Sequence, residues 1–326
     1  MPRFSGFALR AVLAALCLTP IAADSAGALD YPNRQPRIIV GYPPGGATDI
    51  VARLVANWLS PRLGQTVIVE NRPGAGNNIG TEAVIKSPPD GYTLLLVNTA
   101  NVINTSLYKK LNFVFHRDID PVAGFVRVPN VMEVNPLVPA KTVAEFIAYA
   151  KANPGKVNMA SSGNGTAIHL SGELFMMMTG VKMAHIPYKG SAPALTDMIG
   201  GQVQVIFDNL PASIAHIKAG KLRALAVTTA ARSAELPDVP TVGDTVKGYE
   251  ASAFFGFGVP HGTPKEVVEL LNKEISLALK DPAMLARLKE IGCIPTPGSV
   301  ADFGKVIQDE TAKWQKVVRA ANLSVE

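Results

Sequence analysis

The stretch Ile38-Ile39-Val40-Gly41-Tyr42-Pro43-Pro44-Gly45-Gly46-Ala47-Thr48-Asp49 constrains this chain more than any other. A short β-branched run reads as a buried strand, two prolines and two glycines turn the chain, and a helix follows. Val51, Leu54, Val55 and Leu59 recur at the spacing of one helical face. The turn therefore delivers a strand end to a helix N-terminus. The first amides of a helix have no internal partners, and its dipole favours negative charge there. Glycine lets the backbone approach a ligand closely. Together these make an anion pocket, best suited to a carboxylate. Taken alone, the stretch is explained better by an ordinary strand-to-helix turn, common in any α/β protein.

The pattern recurs. Val67 to Val69 reads as a second strand, Asn71 to Gly80 as a glycine-rich turn and Thr81 to Lys86 as a short helix. Pro88-Pro89-Asp90-Gly91 turns the chain into the strand Tyr92 to Val97. Alternation of this kind is half of a doubly wound sheet. Strand-like runs at Val122 to Val128 and Val131 to Val134 precede a helix from Thr142 to Ala152. The strand Val157 to Ala160 then opens a third small-residue turn, Ser161 to Thr166. Its helix carries Leu170, Leu174, Phe175 and Met178 on one face. Strands at Met183–Ile186, Val203–Phe207 and Ala224–Val227 alternate with helices at Ala192–Ile199 and Ala212–Ala219. Ser252 to Val259 is extended, and helices at Pro264–Leu279, Ala283–Ile291 and Val300–Ala321 close the chain. In the last helix Phe303, Ile307 and Trp314 face the core. Two α/β blocks with a helical tail imply two lobes, the tail folding back on the first. Ligands of open α/β sheets sit beyond the carboxyl ends of the strands, where the three small-residue turns leave.

The N-terminus has the three parts of a secretory signal peptide: Arg3 and Arg10, an apolar run from Ala11 to Ala23, and small residues up to Ala28. Cleavage is expected after Ala28, or after Ala23, and the apolar run is too short for a membrane span. Loss of residues 1 to 28 removes Arg3, Arg10 and Asp24, so the formal charge of +5 falls to +4. Its positive residues are scattered rather than focused, which argues against nucleic-acid binding. Cys17 lies inside the leader and follows Leu16, not the small residue a lipidation site needs. Cys293 is then alone and reads as a small buried apolar residue.

No motif of covalent chemistry stands out. Gly46 is followed by Ala47-Thr48 rather than the lysine and hydroxyl residue of a P-loop, and glycines 74, 76 and 80 miss the dinucleotide spacing. His116, His169, His185, His216 and His261 are dispersed, so neither a metal nor a cofactor is expected. No G-x-S-x-G elbow occurs. Ser161, Ser162, Asn164 and Thr166 offer donors beside a second helix N-terminus, although Thr166 also reads as a simple cap. His169, one turn further, is either within reach of such a pocket or a packed neighbour. Tyr188-Lys189 and Asp208-Asn209 end strands at the same sheet edge, as does Asn98-Thr99-Ala100-Asn101. Asp208 would meet a positive group of a ligand or cap the helix near Pro211.

Successive segments resemble landmarks of one family: Tyr42 to Asp49; Glu70-Asn71-Arg72-Pro73-Gly74-Ala75-Gly76; Pro89-Asp90-Gly91-Tyr92-Thr93-Leu94; Ser162-Gly163-Asn164-Gly165-Thr166; Pro187-Tyr188-Lys189-Gly190; Gly220 to Ala226; and Leu236 to Thr241. The family is that of the Bug receptors, the periplasmic substrate-binding proteins of tripartite tricarboxylate transporters. The resemblance implies a two-lobed periplasmic binding protein fold (type II), each lobe a mixed sheet flanked by helices, with the ligand in the cleft between them. Lobe 1 would be residues 29–126 plus 250–326, and lobe 2 residues 127–249. It implies a carboxylate held by Tyr42, Gly45, Gly46, Ala47 and Thr48 on one side, partly through waters. Ser162, Gly163, Asn164 and Thr166 would hold it on the other. More variable contacts would come from Asn98, Asn101, Tyr188 and Asp208. Asn112 to Arg117 departs from the family's usual run, which would bear on ligand choice if it lined the cleft. The expectation is a monomeric periplasmic receptor, not an enzyme, handing a small carboxylate to the membrane subunits of a transporter. An exported carboxylate enzyme or a signalling receptor are the alternatives.

Overall fold

The computed structural model describes residues 30–326, so the expected export segment lies outside the described residues. β1 (Arg37–Val40) runs into α1 (Ala47–Leu63), and β2 (Ile68–Asn71) into a 3-10 turn (Ala75–Asn77) and α2 (Asn78–Ile85). β3 (Thr93–Asn98) runs into α3 (Thr99–Leu107), and a one-turn helix, α4 (Phe115–Asp118), leads to β4 (Ile119–Val134) and α5 (Val143–Ala152). The alternation resumes with β5 (Asn158–Ser161), α6 (Ala167–Thr179), β6 (Ala184–Pro187), α7 (Ser191–Ile199), β7 (Val205–Asn209) and α8 (Leu210–Lys218). β8 (Arg223–Val227), α9 (Val242–Thr245) and β9 (Ser252–Pro260) follow. The chain ends with α10 (Lys265–Ala278), α11 (Pro282–Glu290), β10 (Ile294–Pro295) and α12 (Val300–Ala320).

The strand order β2-β1-β3-β9-β4-β7-β5-β6 divides into two mixed halves that share β4. β1 pairs in parallel with β2 and β3, and β9 returns antiparallel to β3. In the other half β5 is parallel to both β6 and β7. The N-terminal part of β4, up to Pro129, pairs with β9, whereas Asn130 to Val134 pairs with β7 and β8. The two runs read in the sequence on either side of Pro129 are thus one strand that changes partners. Proline cannot donate to a ladder, so a partner change at this position sacrifices no available bond. Asn130, fully buried, bridges the change: its amide donates to the Phe207 carbonyl at 3.0 Å and accepts from Asn209 at 2.7 Å.

Among the described residues four apolar clusters hold the layers, the smallest being Val131, Leu210, Ile214 and Leu236 between β4 and α8. One unites both halves, from Ile39 and Leu95 to Phe146, Phe175 and Phe207, and takes in Phe303, Ile307, Trp314 and Val318 of α12. The tail docks as its periodicity predicts, and Trp314 is fully buried. Its indole N–H donates to Glu310, which in turn accepts from Arg127 of β4 at 3.0 Å, so the tail is tied to the shared strand. The second cluster packs α1, through Val51, Val55 and Leu59, with α10 under the first half, and buries Cys293. The third lies beneath α7 and β7. Among the described residues no helix is long and apolar enough to cross a membrane. Five strand-to-helix turns, after β1, β3, β5, β6 and β7, leave the carboxyl ends of their strands.

Candidate functional site

Those five turns build one pocket. It leaves about 380 Å³ of space, part of it open to solvent, and is lined from α1 by Gly46, Ala47 and Thr48, and from α3 by Asn98 and Thr99. The other half supplies Ser162, Thr166, Ala167, Ile168, Ser191 and Asn209, and Tyr42, Ala253 and Phe255 complete the wall. No lining side chain is charged. Its polarity comes from hydroxyl and amide side chains, those of Thr48, Asn98, Thr99, Ser162, Thr166, Ser191 and Asn209, and from helix N-termini, whose free N–H groups and dipoles favour an anion.

These termini are not equivalent. α1 begins after Gly46, α7 after Gly190 and α8 after Asn209, in each case without a side-chain cap. Their first amides, except at Pro211 of α8, which has none, are left for a ligand or water. At α3, Asn98 and Asn101 form a capping box, and at α6 Thr166 accepts from the His169 N–H at 3.2 Å. Asn98 keeps one group uncommitted. Its Oδ1 accepts from Ala100 at 3.0 Å, but its buried Nδ2 has no hydrogen-bond partner among the described residues. A buried donor left unpaired costs about 1–3 kcal/mol, so its presence in a pocket wall points to a ligand or water acceptor.

The opening turn is stiffened from behind. Asp49 accepts from the Gly45 N–H at 3.0 Å, from Arg53 at 2.9 and 3.0 Å and from Asn71 at 3.0 Å. Burial opposes ionisation of this carboxyl, but the Arg53 guanidinium, the Gly45 N–H and the Asn71 amide outweigh it and hold it below the usual range. Asn71 also donates to the Tyr42 carbonyl at 2.9 Å, fixing the end of β2 to the turn. The Gly45 amide is therefore already used, and Gly45 is not a lining residue.

A second, outer pocket of about 520 Å³ shares Tyr42 and Ser162 with the first. Its walls are the turn from Gly74 to Asn77 on one side, and Gly163, Asn164, Pro187, Tyr188 and Lys189 on the other. The two walls touch: a Cβ on Gly76 would lie 2.3 Å from the Asn164 carbonyl oxygen. Tyr188 presents its ring, because its hydroxyl donates to Asp197 at 2.7 Å, and burial and that bond push the phenol up to about 12.

Of the residues expected from sequence, ten line one pocket or the other: Tyr42, Gly46, Ala47, Thr48, Asn98, Ser162, Gly163, Asn164, Thr166 and Tyr188. Asn101, His169 and Asp208 stand one layer back. Asn101 accepts from the Asn98 N–H and from Asn77, and donates to Thr81 at 2.8 Å. His169 accepts from the Gly165 N–H through Nδ1 and stacks on His185, ring centroids 3.9 Å apart. Burial and the neighbouring His169 push the His185 imidazole down to about 3, so it is neutral against the Ser161 hydroxyl 2.6 Å away. The pair supports the Ser161–Thr166 turn from below. Ser191 and Phe255 were not singled out in the sequence, and Asn209 was named only as the end of its strand. Asn112 to Arg117 lines neither pocket: Phe115 is core, and His116 meets Thr311 of α12.

Asp208 is fully buried behind Ser191, whose Oγ lies 2.6 Å from Oδ1. Ser213 Oγ lies 3.0 Å from Oδ2 and 2.5 Å from Oε1 of Glu133, also fully enclosed. Burial, and then the Asp208 charge, push the Glu133 carboxyl well above its ordinary value of 4.5. The folded protein holds this proton where the unfolded chain releases it, so the group destabilises the fold progressively as pH rises from about 4.5 to its native pKa. Glu133→Gln should remove that slope. Chemical denaturation at pH 5 and pH 8 should show the variant gaining on the parent at the higher pH.

The profile of the tripartite tricarboxylate transporter family receptors matches residues 51–323. The chain is 40% identical over 308 residues to the Bordetella pertussis protein BugT, covering 92% of this chain and 91% of that protein. A structure from R. palustris with adipate is 39% identical, with a TM-score of 0.89 over 90% of this chain and 99% of its own. MatC from Rhodopseudomonas palustris, with bound malate, is 28% identical, with a TM-score of 0.84 over 88% of this chain and 100% of its own. The fold is accordingly the two-lobed α/β fold of the periplasmic binding proteins of this group. The chain belongs to the tripartite tricarboxylate transporter receptor family, the Bug receptors, a family of solute-binding proteins.

Proposed function

We propose that the protein is an exported receptor that captures a small carboxylate in the inner pocket and delivers it to the membrane subunits of a tripartite transporter. The observation that carries this reading is a pocket lined by uncharged hydroxyl and amide side chains, with uncapped helix N-termini opening on it and the unpartnered Asn98 amide in its wall. Such a site compensates one negative charge without offering a counter-ion to a cation. The adipate and malate in the related structures agree with it. The lobes would be residues 29–126 plus 250–326 and residues 127–249. The partner change of β4 at Pro129–Asn130 and the return into β9 at Ser252 are the natural hinge. Binding would favour the closed arrangement, in which the turns around Gly46 and Ser162 face the same ligand.

A thermal-shift screen of the mature protein against dicarboxylates, tricarboxylates, amino acids and aromatic acids tests the reading. A ligand at 100 times its dissociation constant adds about 2.7 kcal/mol to stability. Thr48→Val keeps the side-chain shape and removes a hydroxyl from the wall. It should weaken the best ligand roughly two- to tenfold, the worth of one hydrogen bond, and leave the melting point of the empty protein unchanged. Unchanged affinity would place the carboxylate away from α1.

A further inference from the structure

Three carboxyl and hydroxyl contacts behind the pocket form a chain whose hydrogens can be counted. Ser213 Oγ is within bonding distance of both Glu133 Oε1 and Asp208 Oδ2, but a serine carries only one hydrogen. Both contacts are hydrogen bonds only if one carboxyl brings its own proton. Glu133 is the one that keeps it: it is fully buried, its Oε2 has no partner, and Ser213 is its one hydrogen-bonding neighbour among the described contacts. Asp208 is better supplied. It accepts from Ser191 and Ser213 through different oxygens, and the backbone N–H of Asn209 adds a third donor. The chain therefore runs from Glu133 through Ser213 to an ionised Asp208, and Ser191 donates to Asp208 from the pocket side.

That direction fixes what the pocket offers. Ser191 lines the pocket, and with its only hydrogen donated to Asp208 its Oγ has only lone pairs left to offer a ligand. Ser191 also stands beside the anion-holding terminus of α1, its Cβ 3.8 Å from where a Cβ on Gly46 would be. We propose that Asp208, acting through Ser191, makes the pocket select carboxylates that carry a hydrogen-bond donor, a hydroxyl or an ammonium, on the carbon next to the bound carboxylate. Asp208 is thus a positioning residue for specificity and touches no ligand itself. The inference rests on the proposed function and narrows its ligand class to 2-hydroxy and 2-amino carboxylates.

Matched probes test it. Ligand-free mature protein is titrated calorimetrically at pH 7.5 with malate, aspartate and succinate, and with 2-hydroxyglutarate, glutamate and glutarate. In at least one series a donor-bearing member should bind roughly tenfold or more tightly than its unsubstituted analogue, because the analogue leaves a buried acceptor unpaired. Hydroxyl and ammonium members separate the two donor sources. Ser191→Ala should bring the ratio to about one. Asp208→Asn keeps the shape but turns an amide N–H toward Ser191, which frees the serine hydrogen for the pocket, so the preference should narrow or invert. Its melting curve reports whether it folds, and it carries the test if Ser191→Ala does not. Equal or tighter binding of the unsubstituted acids by the parent protein overturns this proposal and leaves the receptor reading intact. So does an unchanged ratio in folded Asp208→Asn. Failure of every carboxylate, glutarate and succinate included, overturns both.

Discussion

Asn98→Asp is expected to abolish ligand capture while leaving the fold intact. The two functions of Asn98 are separable. Its Oδ1 caps α3 by accepting from Ala100, a role that aspartate performs equally well. Its Nδ2, buried and without a partner, is what the pocket sees as a donor. The substitution replaces that donor with a second negative charge beside the bound carboxylate. At a separation of about 4 Å and an effective dielectric constant of about 20, the repulsion is about 4 kcal/mol, which corresponds to a loss of two to three orders of magnitude in affinity. Asn98→Leu removes the donor without adding charge and should cost roughly tenfold. Equal affinity in Asn98→Asp and the parent would move the carboxylate out of this pocket.

Gly76→Ala is expected to separate folding from closure. Gly76 has φ 58° and ψ 40°, a left-handed conformation that alanine adopts at a cost of about 1–2 kcal/mol. The larger effect is steric. The added methyl would lie 2.3 Å from the Asn164 carbonyl and 3.0 Å from the Tyr108 hydroxyl, and a backbone carbonyl cannot rotate away. The turn from Gly74 to Asn77 and the turn around Asn164 must therefore stand further apart. If these turns are the lips of a closing cleft, the variant populates the closed state less often, and apparent affinity falls in proportion. A loss of about one to two orders of magnitude should appear, with a modest decrease in melting temperature. Small-angle scattering should show the parent contracting on ligand addition and the variant remaining extended. A variant that binds and contracts like the parent would mean that the two turns do not report closure.

The parts of the fold legible in the sequence are those where one local signal dominates. α1 and α12 follow from apolar periodicity, and the starts of α1 and α6 from turns of glycine, serine and asparagine. α3 was not legible as a helix. Its sequence, TANVINTSL, is made largely of weak helix formers. What makes it helical is tertiary: the Asn98–Asn101 capping box, and the buried bonds from Asn101 to Thr81 and from Asn104 to Asn78 and the Gly76 carbonyl. β4 looked like two strands because proline at 129 reads as a break, and only the paired strands show that the chain continues through it.

The site divides along the same line. The turns at Gly46 and Ser162 were visible because each joins small residues to a helix start. Ser191 was not, and Asn209 was read only as the end of its strand, since nothing local says that α7 and α8 begin beside α1. Asp208, His169 and Asn101 have the chemistry of ligand contacts, yet the structure spends that chemistry on supporting the residues in front of them. Residue type alone does not tell a wall from its support.

The most direct measurement is calorimetric titration of the mature protein, freed of co-purified ligand by unfolding and refolding, with a carboxylate and its uncharged primary amide. An anion pocket built from helix N-termini should bind the acid and lose at least about a hundredfold in affinity for the amide. Equal binding of acid and amide, or binding of none of the carboxylates in the screen, would contradict the account.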